Sequence, residues 1–274
     1  MIDILLSTYN GERFIKEQID SILSQTFTDW RLIIRDDFSK DNTPLIIKEY
    51  SEKYPEKISI LTSEKNLGCK SSFETLLRES KNDYVMFSDQ DDIWLPDKVK
   101  EAYQMMIEAE RDNKGKAIIC CTDLIVVNEK LEVLKKSYWD YARIRPSLLK
   151  TYNMLSVNNY VTGCTMIINR KARETSLPFG KNALLHDSYI ALKVKAEGGL
   201  ILHSSKSNIY YRQHGYNEVG AIEVKYDYNY FIRKAINIKN IIHCQYLNYK
   251  QAKEVRNINI IIFILCRITY LLRR

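Results

Sequence analysis

The sequence predicts an α/β protein with a doubly wound, mostly parallel sheet, helices on both faces and a C-terminal helical extension. Short apolar runs alternate four times with segments of helical periodicity in the first hundred residues, and polar residues follow each run. Continuous apolar runs of this length are typical of strands buried on both faces of a parallel sheet. The four runs cover residues 2–6, 30–35, 58–61 and 84–87.

The segments between these runs carry helical signals. Apolar side chains recur at steps of three and four from Phe14 to Leu23, which predicts a helix with one packed stripe. Residues 39–42 supply turn and N-cap chemistry ahead of Pro44, and residues 72–80 predict a third helix. Strand and helix therefore alternate, as in a parallel sheet built from βα units.

The second half of the chain continues the mixed pattern. Residues 161–169 (VTGCTMIIN) predict another strand that opens on Gly163, and residues 208–211 predict a further one. Between them, the stretch that begins at Leu185 and His186 leads into a predicted helix.

Composition indicates a soluble globular protein. The chain has 274 residues, of which 45% are hydrophobic and 27% charged, and no low-complexity tract or internal repeat. We predict one compact domain over residues 1–221 and an extension over 222–274. The N-terminal sequence MIDILLSTYN has no basic segment or cleavage site of a secretory signal, so we expect a cytoplasmic location. Six cysteines without a CxxC pair indicate reduced thiols.

The net charge of +7 is compatible with nucleic acid, an anionic membrane surface or a phosphorylated ligand. The basic residues are not interleaved with aromatic ones in a nucleic-acid-binding pattern, whereas the last fifty residues carry Lys and Arg beside Ile and Leu runs. We therefore predict no nucleic-acid partner, and favour a membrane surface or a phosphorylated ligand.

Polar residues follow each of the four predicted strands, where doubly wound sheets bind their ligands. No GxGxxG or GxxxxGK[ST] motif follows the first strand, which excludes the usual dinucleotide-binding and P-loop sites. The polar groups are Thr8-Tyr9-Asn10, Asp36-Asp37, Asn66-Leu67-Gly68 and Asp89-Gln90-Asp91.

The stretch SDQDDIWLPDK, residues 88–98, concentrates four carboxylates in a basic protein. Such like charges repel one another unless a cation or a strong donor lies among them. Asp89 and Asp91 are two residues apart after a strand, so both carboxylates point the same way and can share one Mn²⁺ or Mg²⁺ ion. The alternative is a solvated acidic turn that caps a helix starting near Pro96, which explains Asp97 but not the other three acids.

The ordered motifs LLSTYNG, SILSQTF, IIRDDFSKDNT, NLG and FSDQDDIW with LPDK resemble the N-terminal half of family 2 glycosyltransferases, which have the GT-A fold. The later motifs HDSYIALK and YRQHGYNEVG are similar to those of the rhamnosyltransferase-like branch. The resemblance runs from Ile2 to Ala221 and implies a nucleotide-binding half, about residues 1–98, and an acceptor-side half, about residues 99–221.

The resemblance implies roles for the metal-site residues. Asp91 corresponds to the direct metal ligand, and Asp89 to a contact with the ribose or with the waters of the metal. Asp92 would lie behind these residues or contact the sugar. Arg212 corresponds to a residue that closes over the diphosphate, and His214 to one that completes the metal site. A neutral imidazole suits Mn²⁺ better than Mg²⁺.

The resemblance also implies a nucleotide site. Asp37 matches the residue that accepts the imide N3–H of uracil or thymine, although an Asx turn before the next helix explains it as well. Asn66 and Gly68 would approach the diphosphate, or form only a loop. The residues implied beside the base and ribose are Thr8, Tyr9 and Asn10.

Asp187 matches the catalytic base of the resembled family. An inverting transferase needs one carboxylate to take the proton of the acceptor hydroxyl. The alternative explanation is electrostatic, because an acid is favourable in the first turn of a helix. His186 would orient Asp187 or only pack.

Together with these residues, the resemblance implies an inverting, metal-dependent glycosyltransferase of bacterial surface polysaccharide synthesis. The donor would be a dTDP- or UDP-sugar, with rhamnose favoured by the resembled branch, and the acceptor a saccharide or lipid-linked saccharide. A phosphohydrolase is disfavoured because residues 7–10 lack the nucleophilic Asp after the first strand. A catalytically silent nucleotide-sugar binding module remains the alternative, although it would not need Asp187.

The tail is helical in pattern from Tyr226, and its last segment, residues 258–274, is strongly apolar with basic flanks. Asn259 and Arg267 interrupt the apolar run, which is too short to span a bilayer. We predict an interfacial helix on the inner face of the cell membrane. A helix docked on the catalytic domain or on a second subunit is the alternative, and leaves an oligomer open.

Overall fold

A computed structural model describes residues 1–215, 217 and 238–274 of the chain. In these residues the central sheet has nine strands in the order β3-β2-β1-β4-β8-β6-β9-β5, and β7 pairs with β6. The strands are β1 Ile2–Thr8, β2 Trp30–Asp36, β3 Ile58–Leu61, β4 Tyr84–Ser88, β5 Ile93–Trp94, β6 Ile118–Asn128, β7 Val133–Lys135, β8 Ile167–Asn169 and β9 Leu200–Gln213.

The first four strands are parallel, as predicted. Strand β1 lies between β2 and β4, and β2 pairs with β3. Thr8 at the end of β1 pairs with Asp36 at the end of β2, so the loops that follow these strands meet at one edge. Strand β8 is antiparallel to β4 and β6, and β9 is parallel to β6.

Helices cover both faces of the sheet. Strand β1 shows why, because Ile4 and Leu6 belong to one apolar core whereas Leu5 belongs to the other. Helices α1, α2 and α4 pack on the face of Ile4 and Leu6, which carries the first core. Helices α3, α6, α7 and α8 pack on the face of Leu5, which carries the second core. The helices are α1 Ile15–Leu23, α2 Thr43–Lys53, α3 Gly68–Glu79, α4 Lys98–Asp112, α5 Tyr138–Tyr141, α6 Tyr152–Val157, α7 Arg170–Ser176, α8 His186–Ala196, α9 Ile238–Val255 and α10 Ile260–Arg273.

The predicted strand over residues 161–169 is wrong in its first half. Gly163–Thr165 forms a turn of 3-10 helix, and only Ile167–Asn169 is a strand. The Thr165 hydroxyl donates to the carbonyl of Thr162, a local bond that competes with sheet pairing. Conversely, the strand predicted over residues 208–211 is longer, because β9 pairs with β6 from Leu200 to Gln213.

The two C-terminal helices pack on the α/β domain. Phe263 and Tyr270 of α10 are buried in the second core, and the Tyr270 hydroxyl accepts a hydrogen bond from Asn158 at 2.8 Å. The docked-helix alternative therefore holds for one face of α10. Within the described residues, no helix combines the length and apolar character that crossing a bilayer requires. The predicted boundary at residue 221 and the tail before residue 238 lie outside the described residues.

Candidate active site

A cavity of about 650 Å³ opens at the carboxyl ends of β1, β2 and β4, within the volume range of small-ligand sites. Its lining joins strand-end residues to residues of α8 and α9. Eight of the sequence-predicted site residues line it: Thr8, Tyr9, Asp37, Asn66, Gly68, Asp89, Asp91 and Asp187.

Gln90 connects the ends of β1 and β4, a role that the sequence analysis missed. Its side-chain oxygen accepts hydrogen bonds from the Thr8 hydroxyl at 2.6 Å and the Tyr9 N–H at 2.8 Å. Its amide donates to the Tyr9 carbonyl at 3.1 Å. A polar residue between Asp89 and Asp91 was the only signal. Asn10 does not line the cavity; its side chain accepts from Lys40 N at 2.8 Å and connects two loops.

Asp37 is held by three donors on the cavity wall. The Arg35 guanidinium pairs with it at 2.5 Å, and the backbone N–H groups of Leu67 and Gly68 donate to it at 2.8 and 2.7 Å. Burial alone would raise the pKa of Asp37, but these donors lower it below its usual value. Asp37 is therefore a carboxylate that can only accept hydrogen bonds.

Asn66 and Gly68 support Asp37 in this structure. The Asn66 amide donates to the Asp37 carbonyl at 3.0 Å, and the Gly68 N–H is bonded to the Asp37 carboxylate. Gly68 has a φ of +77°, a conformation that favours glycine. Their expected contact with a diphosphate stays a prediction.

Asp91 faces the cavity and meets the region after β9. One of its oxygens lies 2.8 Å from His214 Nε2 and accepts from the Asn217 amide at 3.1 Å. The His214 ring stacks on Phe14 at 4.6 Å between centroids. His214 does not line the cavity, but it lies directly behind Asp91.

Asp92 is fully buried and does not line the cavity, so its position argues against direct sugar contact. It lies beside Cys164, and one ligand atom each of Asp92, Cys164 and Asp89 lie within 4.8 Å of one another. Lys98 is also buried there, over the Trp94 ring, and burial lowers its pKa to about 8. Burial and the neighbouring carboxylates of Asp91 and Asp89 raise the pKa of Asp92 well above its usual value, whereas Asp89 and Asp91 themselves face the cavity.

Arg212 is buried away from the cavity. Its guanidinium donates to the carbonyls of Asp91 and Glu129, both at 3.0 Å, and pairs with Glu17. It thereby holds the backbone of the acidic motif. Its expected contact with the diphosphate stays a prediction that this arrangement does not display.

Asp187 lies in the first turn of α8, on the cavity wall. Its oxygens accept hydrogen bonds from Gly163 N at 3.1 Å and Ser188 N at 2.5 Å. Burial raises the pKa of Asp187 to about 6, although these two N–H groups lower it in part. A carboxyl with a pKa near neutrality is suited to general base catalysis.

His186 packs beneath Asp187 between Phe73 and Phe87, with ring centroids 4.0 and 5.2 Å away. Burial lowers the pKa of His186 to about 3, so the ring is neutral. A Cβ on Gly163 would collide with this ring, so only glycine allows the Gly163 N–H to approach Asp187. The structure thus favours packing for His186.

Residues 3–177 match the model of the family described as glycosyl transferase family 2. The chain therefore belongs to glycosyl transferase family 2 and is a glycosyltransferase. It is 30% identical over 230 residues to the dTDP-rhamnosyl transferase RfbG of Shigella flexneri. This match covers 79% of this chain and 74% of RfbG. The predicted resemblance to rhamnosyltransferases is confirmed.

A second relative is the UDP-Glc:alpha-D-GlcNAc-diphosphoundecaprenol beta-1,3-glucosyltransferase WfgD of Escherichia coli, 33% identical over 108 residues. That match covers 39% of this chain and less than half of WfgD, 42%.

Two solved structures show the same fold. TarS 1-349 of S. aureus in complex with UDP-GlcNAc has a TM-score of 0.59 and 18% identity, over 98% of this chain and 71% of that one. The mannosyltransferase PcManGT of Pyrobaculum calidifontis, in complex with GDP-Man and Mn²⁺, has a TM-score of 0.58 and 17% identity, over 99% of this chain and 79% of that one. The predicted GT-A fold is confirmed.

Proposed function

We propose that the protein transfers a sugar from a pyrimidine nucleoside diphosphate to a hydroxyl of a saccharide acceptor, with inversion at the anomeric carbon. The observation that supports this most directly is one cavity with two kinds of acid. Asp37, Asp89 and Asp91 follow strands and suit a nucleotide and its diphosphate, while Asp187 on α8 suits a base. A silent binding module has no use for a cavity-lining acid with a pKa near neutrality.

The donor proposal rests on Asp37 and on RfbG. An ionised carboxylate pairs with the single imide N–H of thymine or uracil. The name of RfbG, a dTDP-rhamnosyl transferase, makes dTDP-rhamnose the first candidate. Uracil lacks only the methyl group of thymine, which a pocket discriminates by about 1 to 3 kcal/mol. UDP-sugars are therefore the second set to test.

The cavity fits a divalent cation. Its described lining includes four Asp residues and no Lys or Arg, so a bound diphosphate would face only negative charge from these side chains. Asp91, Asp89 and His214 would hold Mn²⁺ or, with less affinity for the imidazole, Mg²⁺. A cation bound there would neutralise the diphosphate leaving group.

The chain supplies the proton transfer. The Asp187 carboxylate takes the proton of the acceptor hydroxyl, and the hydroxyl oxygen attacks the anomeric carbon from the face opposite the diphosphate. The bond between the anomeric carbon and the phosphate oxygen breaks, and its electron pair stays on the departing diphosphate. The N–H groups of Gly163 and Ser188 hold Asp187 in place during this step.

We further propose that the outer face of α10 binds an anionic lipid surface. Arg256 precedes this helix, and Arg273 and Arg274 end it, which adds charge complementarity to the apolar face. A lipid surface also suits a lipid-linked acceptor of the kind named for WfgD. The exposed apolar side chains of α10 are Ile260, Ile261, Ile262, Ile264, Leu265, Ile268, Leu271 and Leu272.

Release of nucleoside diphosphate tests the donor and metal proposals. We expect turnover of dTDP-rhamnose or a UDP-sugar in Mn²⁺, no turnover of GDP-mannose, and loss of turnover in excess EDTA. Asp91→Asn keeps the shape but removes the anionic ligand, so turnover should fall at least about 100-fold. The exposed Asp112→Asn is the matched control and should behave as wild type.

Full activity of Asp91→Asn, or undiminished activity in EDTA, would contradict the metal-dependent mechanism. Turnover of GDP-mannose alone would contradict the pyrimidine donor.

A further inference from the structure

The loop that leads into the base-carrying helix is attached to α9 by side chains. Glu254 of α9 accepts hydrogen bonds from the backbone N–H groups of Lys181 at 2.9 Å and Asn182 at 2.7 Å, one on each carboxylate oxygen. Gln251 accepts from the N–H of Leu184 at 2.7 Å. Three backbone donors of residues 181–184 are thus satisfied by one distant helix.

The same helix reaches the residue after the base. The Gln251 amide donates to the Ser188 hydroxyl at 3.4 Å, and this hydroxyl donates to the Leu185 carbonyl at 3.2 Å. Gln251 is only 2% exposed and lines the cavity. Its contacts therefore lie on both sides of Asp187 in sequence.

The segment of α9 that carries Gln251 and Glu254 is itself packed on the domain. Gln251 and Glu254 are three residues apart, so they share one face of α9. Between them, Ala252 is fully buried, and its carbonyl accepts a hydrogen bond from the Tyr152 hydroxyl of α6 at 2.5 Å. A Cβ on Gly180 would lie 2.7 Å from the Glu254 carboxyl carbon, so loop and helix are in close contact.

We propose that Gln251 and Glu254 are positioning residues that hold Asp187 at the distance and angle needed to take the acceptor proton. This inference rests on the proposed role of Asp187 as the base. A displacement of about 1 Å in a reacting group can cost about 100-fold in rate, and residues 180–185 have no helix or strand of their own to prevent it. The hydrogen bonds described for Gln251 and Glu254 go to residues 181–184 and Ser188 and not to the acids at the strand ends, so we expect turnover to depend on them more than donor binding does.

Two variants test the proposal in the full-length protein with Mn²⁺ and dTDP-rhamnose, or UDP-glucose if it is the better donor. Water takes the place of the acceptor, and nucleoside diphosphate release is measured. Glu254→Gln leaves one acceptor oxygen and turns an NH₂ group toward a backbone N–H. Gln251→Leu removes both polar contacts at similar volume. The exposed Glu174→Gln is the matched control for a lost carboxylate.

We expect kcat to fall about tenfold or more in each variant, with donor Kd and KM within about twofold of wild type. The inflection of kcat near pH 6 should also shift, because the environment of Asp187 changes; a merely structural role would not move it. The double variant should lose less than the product of the two single effects, since both residues act through one loop.

Wild-type kcat and an unshifted pH profile in Glu254→Gln would overturn the proposal, even if Gln251→Leu fails to fold. A parallel loss of donor affinity would also overturn it, because the residues would then support the whole site. Failure of the proposed function is a separate result, namely no turnover by the wild-type protein with any donor.

Discussion

At the scale of single residues, the hydrogen-bond donors around two Asp side chains give them different protonation behaviour. Asp37 is buried among three donors that lower its pKa, whereas Asp187 is held by two backbone N–H groups and burial raises its pKa to about 6. The first remains an acceptor at all physiological pH values. The second gains and loses a proton near neutrality, as a general base must.

The raised pKa of Asp187 predicts the pH dependence of turnover. Only the ionised carboxylate can take a proton, so kcat should rise about tenfold per pH unit below pH 6 and level off above it. The rate rises with pH because Asp187 is protonated at low pH and then cannot accept a proton. The measurement is kcat between pH 4.5 and 8 at saturating donor and Mn²⁺. A profile that is flat through pH 6, or that falls there, would contradict this assignment.

At the scale of elements, the C-terminal helices have two different faces. The inner face of α10 carries Phe263 and Tyr270 into the core, and Arg267 donates to the Val157 carbonyl at 3.0 Å. Asn158, which bonds Tyr270, lines the cavity. Deleting residues 258–274 would therefore destabilise the fold of the domain. Substitutions on the outer face of α10 leave the core intact and test lipid binding alone.

The triple variant Ile261→Asn, Leu265→Asn and Ile268→Asn changes side chains that are 63%, 57% and 49% exposed. Each large apolar side chain contributes about 1.5 kcal/mol or more when buried, so binding to vesicles with anionic lipid should fall at least about tenfold. Vesicle co-sedimentation measures it. Leu45→Asn, at an exposed position of α2, is the control. Unchanged vesicle binding by the triple variant would contradict the lipid surface.

At the scale of the whole molecule, the sequence predicted what repeats along it. The strands β1 to β4 were predictable because burial on both faces demands continuous apolar runs. The position of the acids at one edge of the sheet was predictable because strands that alternate with helices are parallel and end at the same edge. The turn at Gly163 was not, since the contacts of Gly163 include the His186 ring and the Asp187 carboxylate, which come more than twenty residues later.

The contacts of α9 with the loop before Asp187 were equally hidden. Gln251 and Glu254 are ordinary polar residues of a helix, and only tertiary packing brings them to residues 181–184. The burial of Arg212 also depends on distant partners, Glu17 and Glu129. Sequence pattern therefore pointed to the strand-end acids and to Asp187, the proposed base, which line one cavity, but not to the residues that hold them.

The central claim is that this glycosyltransferase uses Asp187 as its base while the strand-end acids hold the donor. Asp187→Asn tests it most directly, by calorimetric donor affinity in Mn²⁺ and by the rate of nucleoside diphosphate release. The account predicts donor affinity within about twofold of wild type and turnover lower by roughly 10² to 10⁴. Near-normal turnover would remove Asp187 from the mechanism, and loss of donor binding would make it a donor-site residue instead of the base.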